Sequence, residues 1–263
     1  MPILPKMIKL NKIRNFCNRA GYGQGIILPD VVFGTTKIGN ATIANDSLNT
    51  SATSSGVAEG FYSIAYDYAG STIISYRWTD ENIVSLWGTN GSDLLNGYGV
   101  GAGSPYAPQA LLAIEFYKAV AAAKSVAPHD ANISLTGHSL GGGMAGFVGS
   151  LYGKSGTLFD NMAFEDAAQI AYYAASNPTA YATEALPNGT YIDADKLAQA
   201  NAIRDHIYGT ETPWLLNRAG LNTVFTQGEF LSLNRTGQQT SQVGLDLGID
   251  VDLPGPDSGP FSL

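Results

Sequence analysis

Leu135-Thr136-Gly137-His138-Ser139-Leu140-Gly141-Gly142 is the stretch that decides how this chain is read. Gly137 to Gly141 fit the spacing G-x-S-x-G. Ahead of it, Asn132-Ile133-Ser134-Leu135-Thr136 reads as a short strand entering Gly137. Behind it, the small and apolar residues from Leu140 to Leu151 read as a helix. A serine on such a strand-to-helix turn exposes its hydroxyl at the end of the strand. The turn is tight, so its neighbours must be small. Gly137 and Gly141 remove side chains that would clash, and Gly142 and Gly143 let the helix approach the sheet. The helix N-terminus directs partial positive charge toward a developing oxyanion. The pattern points to Ser139 as a nucleophile.

Outward from this centre, strands and helices alternate. Phe61–Tyr68 and Ser71–Tyr76 read as two strands joined by a turn at Ala69-Gly70, able to form an antiparallel pair. Pro108 suits the first turn of a helix running to about Lys124. Its apolar positions Leu111, Leu112, Ile114, Phe116, Val120 and Ala121 suit packing on a sheet. Leu158-Phe159 begins another strand. Residues 163–176 and 194–208 read as helices, with Gly209 as a stop signal. Asn222–Thr226 reads as a further strand. The segment 34–60 is rich in Gly, Thr, Ser, Asn and Ala, as for loops with short strands. The alternation predicts an α/β fold with a mostly parallel central sheet covered by helices.

Composition narrows the function. The chain has 263 residues, 44% hydrophobic and only 14% charged, enough for a sizeable core. A net charge of -8 disfavours nucleic acid and anionic membranes as main partners, and leaves a small ester or neutral lipid open. Residues 1–30 read as a basic, irregular arm, with Lys6, Lys9, Lys12, Arg14 and Arg19 ahead of the first acid, Asp30. Residues 31–263 read as a single catalytic domain. The lone cysteine, Cys17, allows neither an intramolecular disulfide nor a cysteine metal site. No apolar run is long enough to span a membrane, and the N-terminus lacks the apolar core of a Sec signal peptide. Export by another route and a cytoplasmic location both stay open.

Gly-His-Ser-Leu-Gly-Gly resembles the lipases and esterases of the α/β-hydrolase superfamily, most nearly the class 3 lipases and their bacterial relatives. The resemblance covers roughly residues 60–235. It implies hydrolysis of a carboxylic ester through an acyl-enzyme on Ser139, with no cofactor and no metal. Class 3 lipases carry an Arg-Gly-Thr-like turn after the strand before the nucleophile strand. Here Arg77-Trp78-Thr79-Asp80 follows Ile73-Ile74, with Trp78 at the usual glycine. By this likeness Thr79 supplies the second oxyanion donor beside Leu140.

Such an enzyme needs a base and an acid that orients it. Superfamily order is serine, acid, histidine. Asp160, after the strand at Leu158-Phe159, is one candidate acid. Glu229, in Gly228-Glu229-Phe230-Leu231, resembles the family's acid turn and is the other. Of the three histidines, His129 stands before the nucleophile strand and His138 is adjacent to Ser139, where it faces away from the reacting oxygen. His206 is the candidate base within this sequence. With Glu229 as acid, the histidine would have to lie past Leu263, so a reading frame extending beyond this chain is also expected. Tyr62, Tyr66, Trp78 and Trp87 are candidates to line an apolar acyl site. Gly88–Gly97 resembles a single turn of a calcium-binding repeat and reads as a surface loop. Asp246, Asp250 and Asp252 read as solvated loop acids. The alternatives to an esterase are a non-catalytic binding module with a hydrolase-like scaffold and a lipase module of a larger exported bacterial protein.

Overall fold

The computed structural model describes residues 32–54, 61–77, 100, 104–209, 211 and 215–224. The expectations for residues 1–30, Trp78, Thr79, Trp87, the 88–97 loop, Glu229 and the tail acids lie outside them.

The described residues form an α/β fold with a seven-stranded sheet in the order β1-β2-β3-β4-β5-β6-β9. Its strands are β1 (Lys37–Ile38), β2 (Ala41–Asp46), β3 (Ser63–Tyr68), β4 (Ser71–Tyr76), β5 (Ile133–His138), β6 (Gly156–Phe159) and β9 (Leu221–Val224). β1 to β4 pair antiparallel, and β4, β5, β6 and β9 pair parallel. The sheet is therefore mixed rather than mostly parallel. The antiparallel half follows from short connections. Ala69-Gly70 turns β3 directly into β4, with Ala69 at φ 51° and Gly70 at φ 79°. A two-residue turn returns the chain only antiparallel, whereas a parallel neighbour needs a long crossover.

Among the described residues, five helices accompany the sheet: α1 (Pro108–Ala123), α2 (Leu140–Tyr152), α3 (Glu165–Ser176), α4 (Pro178–Ala182) and α5 (Ala194–Ile207). α1 and α4 begin on a proline, whose missing N–H costs nothing in the first turn. Asp193 caps α5, its Oδ1 accepting from the amides of Asp195 at 2.9 Å and Lys196 at 3.0 Å. A small hairpin, β7 (Thr183–Leu186) with β8 (Gly189–Ile192), stands between α4 and α5. Leu186, Tyr191 and Ile192 on it are exposed.

The main core joins the helices to one face of the sheet. Ile74, Ile133, Leu135 and Leu158 meet Phe116, Tyr117, Met144, Phe147 and Leu151 there. Buried hydroxyls are bonded: Tyr76 donates to the Ala113 carbonyl at 3.0 Å and Tyr152 to the Ile207 carbonyl at 2.8 Å. Tyr117 and Tyr152 stack with centroids 4.6 Å apart. A second cluster, Ala41, Ile43, Tyr62, Ile64, Tyr66 and Ile73, forms without any of the five helices. Tyr62 and Tyr66, expected as candidates for an acyl site, are thus packed in this second cluster. No described helix is long and apolar enough to cross a membrane.

At the amino ends of β4 and β5 an open groove of about 500 Å³ is lined by Asp67, Ser71, Lys124 and Asn132. It lies at the end of the sheet opposite Ser139. Lys124 donates to Asp67 at 2.7 Å, and the Thr72 hydroxyl donates to the same carboxylate at 2.7 Å. Burial pushes the Asp67 carboxyl up, but these hydrogen bonds outweigh it and hold the group below the ordinary carboxylate range. A depressed folded value contributes stability that is present above the unfolded value and lost as pH falls through the folded one. The pair is about two-fifths exposed, so the contribution is small. Asp67→Asn should lower stability at pH 7 by under about 1 kcal/mol. The gap from the parent protein should close as pH drops below about 4, as measured by urea unfolding at both pH values.

Candidate active site

Ser139 sits between the last residue of β5 and the first of α2, at the carboxyl end of a central strand of the parallel half. Its backbone has φ 54° and ψ -121°. A side chain disfavours this region by on the order of 1–3 kcal/mol, and such residues persist only where their surroundings over-determine them. Ser139 makes no side-chain cap to its helix, and the residue is half-buried. Its hydroxyl is therefore not consumed as an N-cap.

The surroundings that impose this geometry are legible atom by atom. A Cβ on Gly137 would overlap the Gly141 carbonyl group, and one on Gly141 would fall 2.6 Å from the Arg77 carbonyl oxygen. On Gly142 it would fall 2.6 Å from the Asn161 Cβ, and on Gly146 it would strike the Phe164 ring. Five glycines in a 13-residue helix, at 141, 142, 143, 146 and 149, cost roughly 3–5 kcal/mol relative to alanine. All residues of α2 are buried, so close packing outweighs that penalty.

Backbone bonds complete the hold. The Ser139 N–H donates to the Phe159 carbonyl at 3.0 Å. The Ser139 carbonyl accepts from the amides of Gly143 at 3.0 Å and Met162 at 2.9 Å. The turn after β6 thus grips Ser139 at both its polar backbone groups. Asp160 in that turn is itself left-handed, at φ 42°, and its N–H donates to the Val224 carbonyl of β9 at 2.8 Å. Asp tolerates this conformation better than most residues.

The first-turn amides of α2 have no acceptor within the helix, as at every helix start. Leu140 N–H is the first of them and no described group accepts from it. Arg77 follows β4 and abuts Gly141. Its N–H donates to the Tyr62 carbonyl at 3.0 Å, and its guanidinium lies 5.4 Å from the Tyr62 ring centroid. The Tyr62 hydroxyl donates to Asp46 at 3.3 Å. Arg77 is buried.

The structure brings some candidates together and parts others. Ser139, Leu140 and Asp160 share one end of the sheet. His138 Nε2 faces Asp160 Oδ2 at 3.6 Å. Strand alternation puts His138 on the face with Ser134 and Thr136, opposite the face of Leu135 that meets α2. His206, the candidate base, points to α1. Its Nε2 is 3.0 Å from the Leu111 carbonyl oxygen and its Nδ1 3.2 Å from Glu115. Lys118 reaches the same cluster, donating to Glu115 at 3.3 Å and to the His206 carbonyl at 2.7 Å. No hydrogen bond joins the His206 ring to Ser139 among the described residues. His129 lies at the far end, where its carbonyl accepts from Lys154. The grip supplied by Phe159 and Met162 had no signal in the sequence, because it uses backbone groups that every residue has.

Among the described residues no group of three or more His, Cys, Asp or Glu could hold a metal ion. Comparison of the chain with protein-family models, with curated proteins and with solved structures finds no match.

Glycine contacts around the elbow are graded, and substitutions should follow the grading. Gly141→Ala meets rigid backbone and should destabilise by roughly 1–3 kcal/mol. Gly143→Ala meets Met162 Cβ at 3.2 Å and its carbonyl oxygen at 3.3 Å, a much milder crowding, and should cost clearly less. Denaturant midpoints at unchanged slope would check the order.

Proposed function

We propose that the chain is a serine hydrolase of carboxylic esters, of esterase or lipase type, with Ser139 as nucleophile and an α/β-hydrolase-like arrangement around it. One observation carries this reading. A non-glycine residue is held at φ 54° between a central parallel strand and a helix N-terminus. Strain of that kind at a serine is maintained by close contacts from β4, β5, β6 and the turn after it, and its use is to present a hydroxyl.

In this mechanism the Ser139 oxygen attacks the ester carbonyl and its proton passes to a base. The Leu140 N–H donates to the developing oxyanion, aided by the α2 dipole. The proposed second donor is Thr79. Collapse of the tetrahedral intermediate expels the alcohol with the proton returned from the base. Water then cleaves the acyl-enzyme by the same route in reverse. Asp160 and Glu229 remain the candidate acids. His206 serves as base only by leaving Glu115 and the Leu111 carbonyl. The substrate is a small-molecule or lipid ester.

That engagement of His206 favours a second reading, a hydrolase-like scaffold that binds without turnover. One experiment separates the two. A fluorophosphonate probe should label the protein at Ser139, located by peptide mass spectrometry, and short p-nitrophenyl esters should turn over. Ser139→Ala should abolish labelling and lower turnover by a factor on the order of a thousand or more. Absence of both labelling and turnover in the parent protein would leave the binding module.

A further inference from the structure

We propose that His138 and Asp160 act together as a positioning pair that holds Ser139 in its strained conformation; the inference rests on Ser139 being the nucleophile. The helix side of the elbow is fixed by glycine contacts, since Gly141 and Gly142 bring α2 against Arg77 and Asn161. The other side needs a separate restraint. His138, the residue before Ser139, lies on the sheet face opposite α2. Its Nε2 faces Asp160 Oδ2 at 3.6 Å, and both side chains are largely sheltered, at 32% and 22% exposed.

Asp160 is suited to this use. It lies one residue after Phe159, whose carbonyl accepts from Ser139 N–H, and two before Met162, whose N–H donates to the Ser139 carbonyl. It is in a left-handed conformation of its own and is anchored to β9 through Val224. The backbone of 159–162 therefore grips Ser139, and the Asp160 side chain reaches back to the residue that precedes the serine. β5 and the turn after β6 are tied by main-chain bonds, with the 3.6 Å approach of His138 to Asp160 beside them. In this role Asp160 acts through His138 and the elbow, without touching the substrate.

A double-mutant cycle tests the pair. The parent, His138→Gln, Asp160→Asn and the double variant are compared for fluorophosphonate labelling of Ser139 and for thermal midpoint. Asn accepts the left-handed backbone much as Asp does, so Asp160→Asn removes charge and keeps conformation. Each single variant should slow maximal labelling by roughly five- to tenfold at unchanged half-saturating probe, and the double variant should be no slower than the worse single. The midpoints should show the same non-additivity. If His138→Gln does not fold, His138→Asn takes its place. Losses that multiply, or no loss in either single variant, overturn the pair. So does a loss of a thousandfold or more in Asp160→Asn with His138→Gln near the parent rate, which would make Asp160 the catalytic acid itself. If the parent protein is not labelled at all, the hydrolase reading fails. The pair is then judged by the midpoints alone: coupled losses support it and additive losses overturn it.

Discussion

The close approach of α2 to the sheet is the constraint on which the rest depends. At Gly137, Gly141, Gly142 and Gly146 a single methyl group would overlap the neighbouring chain. A helix so poor in intrinsic stability exists because every one of its residues is buried. Its nearness brings the helix start directly over the end of β5. The chain has no room there for a gradual change of direction, and the whole turn is taken by one residue. Ser139 is strained because α2 is close.

The same closeness explains why so few contacts define the site. β4 and the residue after it contribute the carbonyls of Tyr76 and Arg77 against Gly141. The turn after β6 contributes Phe159, Asn161 and Met162. The serine is gripped through its backbone N–H and carbonyl, and its side chain makes no cap to α2. On the β4 side stands Arg77, whose backbone is wedged between Tyr62 and Gly141.

Much of this centre was legible in the sequence. Small residues flanking Ser139, a strand-like run before it and a small-apolar run after it have only a few joint solutions. The β3–β4 pair was also readable from alternation and the Ala69-Gly70 turn. Strand direction across the whole sheet was not, because β-strand patterning reports burial and not the identity of the neighbour. The β7–β8 hairpin was missed although Pro187-Asn188, two residues typical of turns, stand between its strands. Its residues are mostly exposed, so no hydrophobic alternation marked them. His206 was reached by chain order alone, and order carries no distance. Glu115 and Lys118, which surround it, come from a helix some ninety residues earlier, and nothing local announced them.

The connection between β6 and β9 has a consequence for the order of assembly. Gly156 pairs with Leu221, 65 positions later, and Thr72 with Ile133, 61 positions later, while β3–β4 and β5–α2 are local. Closing loops of this length costs more entropy than closing the β3–β4 turn, so both parallel pairings form after the local ones. Yet β9 is where Asp160 is anchored, through Val224. The turn that grips Ser139 is therefore anchored only once β9 has docked. A chain that has collapsed around α2 already bends at the serine, and the completed sheet fixes that bend.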